Sequence, residues 1–284
     1  MRIGIVSPVV TLVPGAHSPW ERTAGIDDLS AVAEVADSLG FAHLTCSEHV
    51  AVPVDVAAQR GATYWDPLAT FGYLAARTHR IRLVTQVLVL GYHHPLEIAK
   101  RYGTLDRVSG GRLTLGLGVG TLEEEFDLLG APFGGRGGRA DDALAALRGS
   151  LSRREPAHSG PHYSYDGFVV DPHAVQARVP LWIGGQGERS LHRALELGDG
   201  WVPFGPLDGL AALVAAVDVP DGFEVVLSAG RALDPGGQPG ATEKSLERAR
   251  EAGATLVNVS LAAESAAHYG EQLQALAELA GVTP

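Results

Sequence analysis

The chain has 284 residues, which is enough for one large domain with a substantial buried core. Its hydrophobic fraction of 45% and charged fraction of 19% are typical of a soluble globular protein and argue against disorder. The formal net charge of −11 argues against nucleic-acid binding, because neutralising phosphates requires a basic face. No apolar run is long enough to cross a bilayer and no signal-peptide h-region is evident, so we expect a cytoplasmic protein without membrane contact.

Short apolar strands alternate with amphipathic helices along the chain, which predicts repeated βα units and a parallel sheet. Eight strands are predicted, at 2–7, 42–46, 81–90, 113–119, 180–184, 200–203, 224–229 and 255–261. Helices are predicted to end at Gly40 and to begin at Asp66-Pro67, near Pro95 and near Ser265. Because eight parallel strands can close on themselves, the sequence favours a (β/α)8 TIM barrel over an open doubly wound sheet, with residues 1–284 forming one domain.

Two stretches interrupt the βα rhythm and together predict an insertion at about 131–177, at the C-terminal face of the strands. Residues 131–139 (APFGGRGGR) are rich in glycine and are interpreted as a mobile loop. Residues 152–177 alternate aromatic and polar side chains around Tyr163 and Tyr165, which predicts a short hairpin. Insertions in barrels usually follow strand C-termini, so we expect this region to cover the site and to contact the substrate.

Ser47, Glu48 and His49 follow the second predicted strand, at the end where barrel enzymes keep their catalytic groups. Histidine is well suited to proton transfer near neutral pH, although a carboxylate and an imidazole could also merely organise a loop. The preceding Cys46 is the only cysteine, so no intrachain disulfide or Cys-based zinc cluster can form, and we expect a small buried hydrophobe.

The adjacent pair His93 and His94 is a poor metal site, because neighbouring residues on a turn seldom point at one ion. We expect the pair to cap the helix that begins at Pro95 or to line the rim of the pocket. No metal site is therefore predicted.

A glycine-rich turn, Gly184-Gly185-Gln186-Gly187-Glu188-Arg189-Ser190, lies between a predicted strand and a predicted helix. Glycines allow close approach of a ligand to the backbone, and the helix N-terminus offers free N–H groups to a phosphate. Arg189 adds a guanidinium that can bind phosphate oxygens through two hydrogen bonds. The match to the dinucleotide pattern GxGxxG is imperfect, so a Rossmann site is disfavoured.

Three glycines, Gly116, Gly118 and Gly120, end the fourth predicted strand and precede an acidic run at 123–125. Glycines at a strand terminus would leave room for a flat ring against the backbone. Glu124 and Glu125 are interpreted as a solvated first helical turn, which the helix dipole favours. Glu123, the nearest of the three to the barrel mouth, is retained as a candidate for proton transfer.

Three blocks of sequence resemble the luciferase-like monooxygenase family, and within it the actinobacterial branch that uses the deazaflavin coenzyme F420. The blocks are CSEHV at 46–50, HHPLEIAKRYGTLDRVSGGRLTLGLGVGTLEEEF at 93–126, and GPHYSYDGFVVDP to WVP within 160–203. The second and third blocks are highly specific. The C-terminal third of the chain is matched only as a βα pattern.

The resemblance implies a (β/α)8 barrel with a cofactor at its C-terminal mouth, where His49 lies beside the reactive face and Glu123 can act as an acid. It also implies a non-proline cis peptide at Gln86–Val87 and, as is usual in the family, a homodimer that acts on a small molecule. Residues expected to contact the cofactor, its phosphate included, are Gln86, Val87, Gly118, Gly120, Gly184, Gly185, Gln186, Gly187 and Arg189.

Three functions remain open from the sequence. The leading hypothesis is hydride transfer between coenzyme F420 and a small organic substrate, with His49 as the acid/base group, Glu48 orienting it and Glu123 as a second proton-transfer group. The alternative is a monooxygenase that uses FMN. The third hypothesis is a non-catalytic barrel that binds a flavin or deazaflavin as a store or carrier.

Overall fold

The structure is a computed structural model that describes residues 2–284. Its strands are β1 Arg2–Ile5, β2 His43–Cys46, β3 Arg82–Thr85, β4 Leu88–Val89, β5 Leu113–Gly118, β6 His158–Ser159, β7 Ser164–Tyr165, β8 Leu181–Gly185, β9 Gly200–Pro203, β10 Glu224–Ser228 and β11 Leu256–Val259. The main sheet has the order β3-β2-β1-β11-β10-β9-β8-β5-β4 and closes through pairing of β3 with β5. All of these pairs are parallel, and β4 continues the line of β3, so the predicted eight-stranded barrel is confirmed.

The helices surround the barrel as the βα pattern predicts. They are α1 Ile26–Leu39, α2 Val54–Arg60, α3 Pro67–Arg77, α4 Pro95–Val108, α5 Glu123–Leu128, α6 Arg136–Ser150, α7 Glu188–Leu197, α8 Leu207–Ala215, α9 Pro239–Glu251 and α10 Ala266–Ala280. Gly40 ends α1 with a φ of 89°, and Asp66 caps α3 by accepting a hydrogen bond from the Ala69 amide at 2.8 Å. Within residues 2–284, no helix is long and apolar enough to cross a membrane.

The core has two parts because alternate residues of each strand face opposite sides of the barrel wall. The larger part lies between the strands and the surrounding helices and contains side chains such as Ile5, Leu44 and Leu115. The smaller part fills the barrel interior and consists of Val84, Trp182, Val202, Val226 and Leu256. The barrel is therefore a packed scaffold that can present groups at either end.

The insertion begins after the C-terminal end of β5 as predicted, but its details differ from the expectation. Residues 136–139 form the first turn of α6, so the interpretation of 131–139 as a loop is wrong over those four positions. The predicted hairpin is present as β6 and β7, in which His158 pairs with Tyr165.

The segment that contains the hairpin packs beside α4 and α6. Asp142 on α6 accepts hydrogen bonds from the His162 and Tyr163 amides, and Asp106 near the end of α4 accepts from the Val175 and Gln176 amides. These contacts run along the outside of the barrel. Tyr163 and Tyr165 also pack against His94, which caps α4 at the end where the barrel strands finish, so the expectation that residues 152–177 cover the site stays a prediction.

Candidate active site

The third barrel strand is interrupted between β3 and β4 by the cis peptide Gln86–Val87, which confirms the expectation from the sequence. The Gln86 carbonyl accepts a hydrogen bond from Ser47 Oγ at 2.7 Å, and the Val87 carbonyl accepts one from the Glu48 amide at 3.3 Å. The Gln86 side chain turns into the barrel, where its Oε1 accepts from Asn258 Nδ2 at 2.9 Å. Gln86 is thus held on both its backbone and its side chain.

The glycines at the ends of β5 and β8 make room for protein side chains. A Cβ atom at Gly118 would lie 2.6 Å from Val87 Cγ2, and one at Gly184 would lie 2.7 Å from Val87 Cγ1. A Cβ atom at Gly120 would lie 2.5 Å from Phe126 Cε2. Val87 and Phe126 therefore occupy the space that we expected to remain free for a flat ring. Cofactor contacts from Gly118, Gly120 and Gly184 stay predictions.

His49 is oriented by a buried carboxylate, Glu125, which lies in the first turn of α5. The distance from His49 Nδ1 to Glu125 Oε2 is 2.6 Å, and Tyr92 donates its hydroxyl to the same oxygen at 2.7 Å. The other oxygen, Oε1, accepts from the amides of Val50 and Ala51 at 2.6 and 3.1 Å. Glu125 is only 1% exposed, so its interpretation as a solvated residue is wrong.

The hydrogen bonds to Glu125 decide its charge. Burial raises the pKa of the Glu125 carboxyl, but hydrogen bonds from His49, Tyr92 and the Ala51 amide outweigh it and hold the pKa below its ordinary value. Burial and the neighbouring Glu125 raise the pKa of Tyr92, so its phenol stays protonated and donates. The carboxylate is ionised at neutral pH and accepts a hydrogen bond from the N–H group at His49 Nδ1.

The second nitrogen of His49 is left available for chemistry. Nε2 makes no hydrogen bond to any group within residues 2–284, and the side chain keeps 17% of its surface exposed. The ring packs edge-on against Tyr64, with ring centroids 4.5 Å apart, which restricts its rotation. An imidazole held at Nδ1 with Nε2 accessible can accept or donate a proton at a substrate atom.

Glu48 does not orient His49, which corrects the expectation from the sequence. Its Oε1 lies 2.7 Å from His93 Nε2, and its Oε2 accepts from the Val89 amide at 2.7 Å. Burial lowers the pKa of His93, but its hydrogen bond to Glu48 and the nearby carboxylates raise it above the ordinary value overall. Glu48 and His93 therefore connect the loop after β2 to the start of α4.

Two other predictions concern residues at the start of α4 and α5. His94 caps α4 by accepting a hydrogen bond from the Leu96 amide at 3.2 Å. This confirms one of the two roles predicted for the histidine pair. Glu123 is exposed, and its side chain makes no hydrogen bond within residues 2–284. Its neighbour two positions on, Glu125, is the residue that reaches His49.

A basic pocket lies where the N-termini of α6 and α7 approach each other. Its volume is about 360 Å³, and it is lined by Val119, Gly135, Arg136, Gly137, Gly138, Arg189 and Arg193. Neither helix has a side-chain cap, and both are preceded by a glycine with positive φ, Gly135 at 72° and Gly187 at 81°. Uncapped helix N-termini present free amides and positive dipole ends, which favour an anion.

The three arginines of the basic pocket are held to different degrees. Arg136 donates from Nε to the Gly120 carbonyl at 3.1 Å and stacks its guanidinium 3.7 Å from the centre of the Phe133 ring. Arg193 pairs with Asp141. The Arg189 side chain makes no hydrogen bond or ion pair to any group in the described chain and is exposed. The donors present fit a phosphate group, because free amides and guanidinium groups are its usual ligands.

Fold and site together define a (β/α)8-barrel enzyme. Its oriented histidine and its basic pocket both contact the chain that follows β5, the histidine at Glu125 and the pocket at Val119. Residues 1–230 match the luciferase-like monooxygenase family. The chain belongs to this family and is an oxidoreductase.

The proteins that this chain resembles include one named as a coenzyme F420-dependent oxidoreductase and one named as a monooxygenase. The uncharacterised protein Rv0953c of Mycobacterium tuberculosis is 30% identical over 186 residues, which are 61% of this chain and 66% of that protein. Rv3520c of the same species, provisionally named a coenzyme F420-dependent oxidoreductase, is 32% identical over 51% of this chain and 44% of its own length. The crystal structure of the monooxygenase RslO1 from Streptomyces bottropensis has the same fold, with a TM-score of 0.72, 22% identity and 98% of both chains covered.

Proposed function

We propose that the protein transfers a hydride between coenzyme F420 and a small organic substrate, with His49 as the acid/base group. The observation that carries the proposal is the 2.6 Å contact between His49 Nδ1 and the buried Glu125 carboxylate. The deazaflavin, when bound, would supply the hydride chemistry. The protein would supply orientation and a proton at the substrate atom.

The Glu125 carboxylate fixes the tautomer of His49. Because the ionised carboxylate only accepts hydrogen bonds, a neutral His49 must carry its proton on Nδ1 and present the lone pair of Nε2. The same carboxylate stabilises the imidazolium that forms when Nε2 takes a proton. His49 can therefore accept a proton from an alcohol substrate or return one to a carbonyl product. Replacing His49 with Ala should lower turnover by about 10²–10⁴-fold, and unchanged turnover would refute this role.

The cofactor phosphate is proposed to bind in the basic pocket, next to the turn formed by Gly185, Gln186 and Gly187. Arg189 has no other partner among the described residues, and Arg136 and Arg193 add positive charge beside it. Gly187 has open space where a Cβ would stand, so a ligand oxygen can approach its backbone closely.

A titration of the apoprotein with F420 and, separately, with FMN tests the proposal through quenching of the four tryptophans. Selective binding of F420 that weakens in Arg189→Gln would support it. Preference for FMN would favour the alternative, a monooxygenase. The chain shares its fold with the monooxygenase RslO1, which is consistent with that alternative. Oxygen consumption by the reduced holoprotein separates the two, because a deazaflavin reacts poorly with oxygen.

The third hypothesis, a carrier barrel, predicts tight cofactor binding without any effect of His49→Ala in redox assays. The presence of an oriented His49 with an accessible Nε2 disfavours it. We also propose a homodimer, on the resemblance to the family, and light scattering of the purified protein would test this assembly.

A further inference from the structure

A second cavity lies at the opposite end of the barrel, where the strands begin. Its volume is about 390 Å³, and it is called the lower cavity here. Its charged lining consists of Arg2, Arg82, Arg178, Asp199 and Glu224, and His43 stands at its inner wall. A cavity of this size can hold a small ligand. Groups at this end of a barrel normally serve stability, so an unbalanced charge here requires an explanation.

The two carboxylates of the lower cavity are already neutralised. Glu224 pairs with Arg2. Asp199 lies 2.7 Å from Arg178 and 2.6 Å from Arg148, a residue behind the cavity wall. Three lining arginines against two lining carboxylates leave one positive charge. The remaining cation is Arg82.

Arg82 is bound to neutral groups only. Its Nε donates to Thr114 Oγ1 at 2.9 Å, and its Nη2 donates to the Leu113 carbonyl at 2.7 Å and to Gln176 Oε1 at 3.3 Å. No carboxylate within residues 2–284 lies within ion-pair distance of it. Glu224 and, more weakly, Asp106 act on it at longer range, but Glu224 is paired with Arg2 and Asp106 is bound to Gln176. A half-buried guanidinium without a counter-ion is costly unless an anion from solution joins it.

A second unpaired group, His43, stands beside the same cavity. The side chain is 1% exposed, and neither ring nitrogen has a hydrogen-bond partner in the described part of the chain. Its contact with Asn258 lacks hydrogen-bond geometry, since Asn258 Oδ1 is also unpaired. The ring lies edge-on to Trp182 at 5.3 Å between centroids, in space that exists because residue 4 is glycine. Burial lowers the pKa of His43 to about 3, so the ring is neutral and adds no counter-charge.

We propose that the lower cavity binds a small singly charged oxyanion, a carboxylate or a phosphate monoanion, through Arg82. The guanidinium supplies the charge, while Trp182 and Leu256 supply apolar contact for the rest of the ligand. The neutral edge of His43 offers a hydrogen bond at the inner wall. This site is separate from the candidate active site at the other end of the barrel and does not depend on the identity of the cofactor.

The test is a titration of the full-length protein with sodium acetate and, separately, with sodium phosphate at pH 6, at ionic strength kept constant with chloride. The reporter is the nuclear magnetic resonance signal of the His43 Cε1 proton, assigned by its absence in His43→Phe. We expect a saturable shift with at least one of the two anions, weakened at least tenfold in Arg82→Gln and retained in Arg82→Lys. Arg189→Gln, in the basic pocket at the other end, is the matched control and should leave this shift unchanged.

Three results would overturn the proposal. One is the absence of a saturable His43 shift with both anions in the wild-type protein, which can be judged even if Arg82→Gln does not fold. Another is a shift that persists at full affinity in folded Arg82→Gln. A shift that is lost in Arg189→Gln would likewise assign the anion to the basic pocket and refute the lower site.

Discussion

Replacing Glu125 with Gln is the sharpest test of the site, because it changes the hydrogen-bond donors around His49 while it keeps the shape of the side chain. The carboxylate accepts four hydrogen bonds, two at each oxygen. If the carbonyl of Gln faces the Val50 and Ala51 amides, its NH2 group must face His49 Nδ1 and the Tyr92 hydroxyl. His49 then has to accept at Nδ1 and carry its proton on Nε2. The substitution should therefore invert the tautomer.

The expected magnitude follows from these contacts. Losing a correctly placed general base costs about 10²–10⁴-fold in turnover, which corresponds to roughly 3–5 kcal/mol. Hydrogen bonds to a charged acceptor are worth about 1.5–3 kcal/mol each and those to a neutral one about 1 kcal/mol, so the fold should also lose a few kcal/mol. Activity and stability should thus both fall in Glu125→Gln.

The assay combines steady-state turnover with ¹⁵N spectroscopy of the His49 ring, which reports which nitrogen carries the proton. Glu124→Gln is the matched control, because Glu124 lies one position away and is exposed. It should leave the His49 tautomer and turnover unchanged. The reasoning is refuted if Glu125→Gln keeps the proton of His49 on Nδ1, or if its turnover equals that of the control.

Three further predictions follow from other contacts. Arg189→Gln should weaken cofactor binding about tenfold, equivalent to about 1.4 kcal/mol, whereas the exposed Arg153→Gln should not, as fluorescence titration would show. Gly118→Ala should destabilise the fold by about 1–3 kcal/mol in denaturant unfolding, and Val87→Ala should restore part of the loss because Val87 Cγ2 is the clashing atom; equal losses in both backgrounds would contradict this account. Burial raises the pKa of Asp37, but hydrogen bonds from three backbone amides hold that pKa below the ordinary value overall. The Asp37 carboxylate should therefore stabilise the fold above the unfolded-state pKa of about 4, and this stabilisation should be lost as the pH falls through the folded-state pKa. Asp37→Asn should lower the melting temperature at pH 7 and flatten its decline in acid, and parallel pH profiles would argue against that assignment.

The fold was largely predictable from the sequence because its signals are local. Each βα unit is marked by an apolar run of strand length and by Gly, Pro or Asp at the ends of the helix that follows. These marks can be recognised in each unit separately, without knowledge of the rest of the fold. Gly40, Asp66 and Ser265 are examples, since each ends or begins a helix where its own backbone or side-chain chemistry predicts. His49 was also predictable as a candidate, because position at the end of a strand is itself a local feature.

The partners of His49 were not predictable, because they depend on how separate elements face one another. Three consecutive glutamates at 123–125 look alike in the sequence, yet successive helical residues point about 100° apart and only Glu125 faces the barrel. Glu48 is adjacent to His49 and for that reason looked like its partner, but it points toward His93. Arg189 and Arg193 lie one turn apart on α7, but Arg136 belongs to α6 and meets them only in the folded barrel.

The loop that carries His49 is tied to its surroundings at nearly every residue. Ser47 holds the Gln86 carbonyl, Glu48 holds the Val89 amide, and the Val50 and Ala51 amides are held by Glu125. The side chain of Val54, at the start of α2 just beyond this loop, is 93% exposed. The hydrogen bonds that hold the loop do not involve this side chain, so position 54 can change the neighbouring surface while those hydrogen bonds are kept.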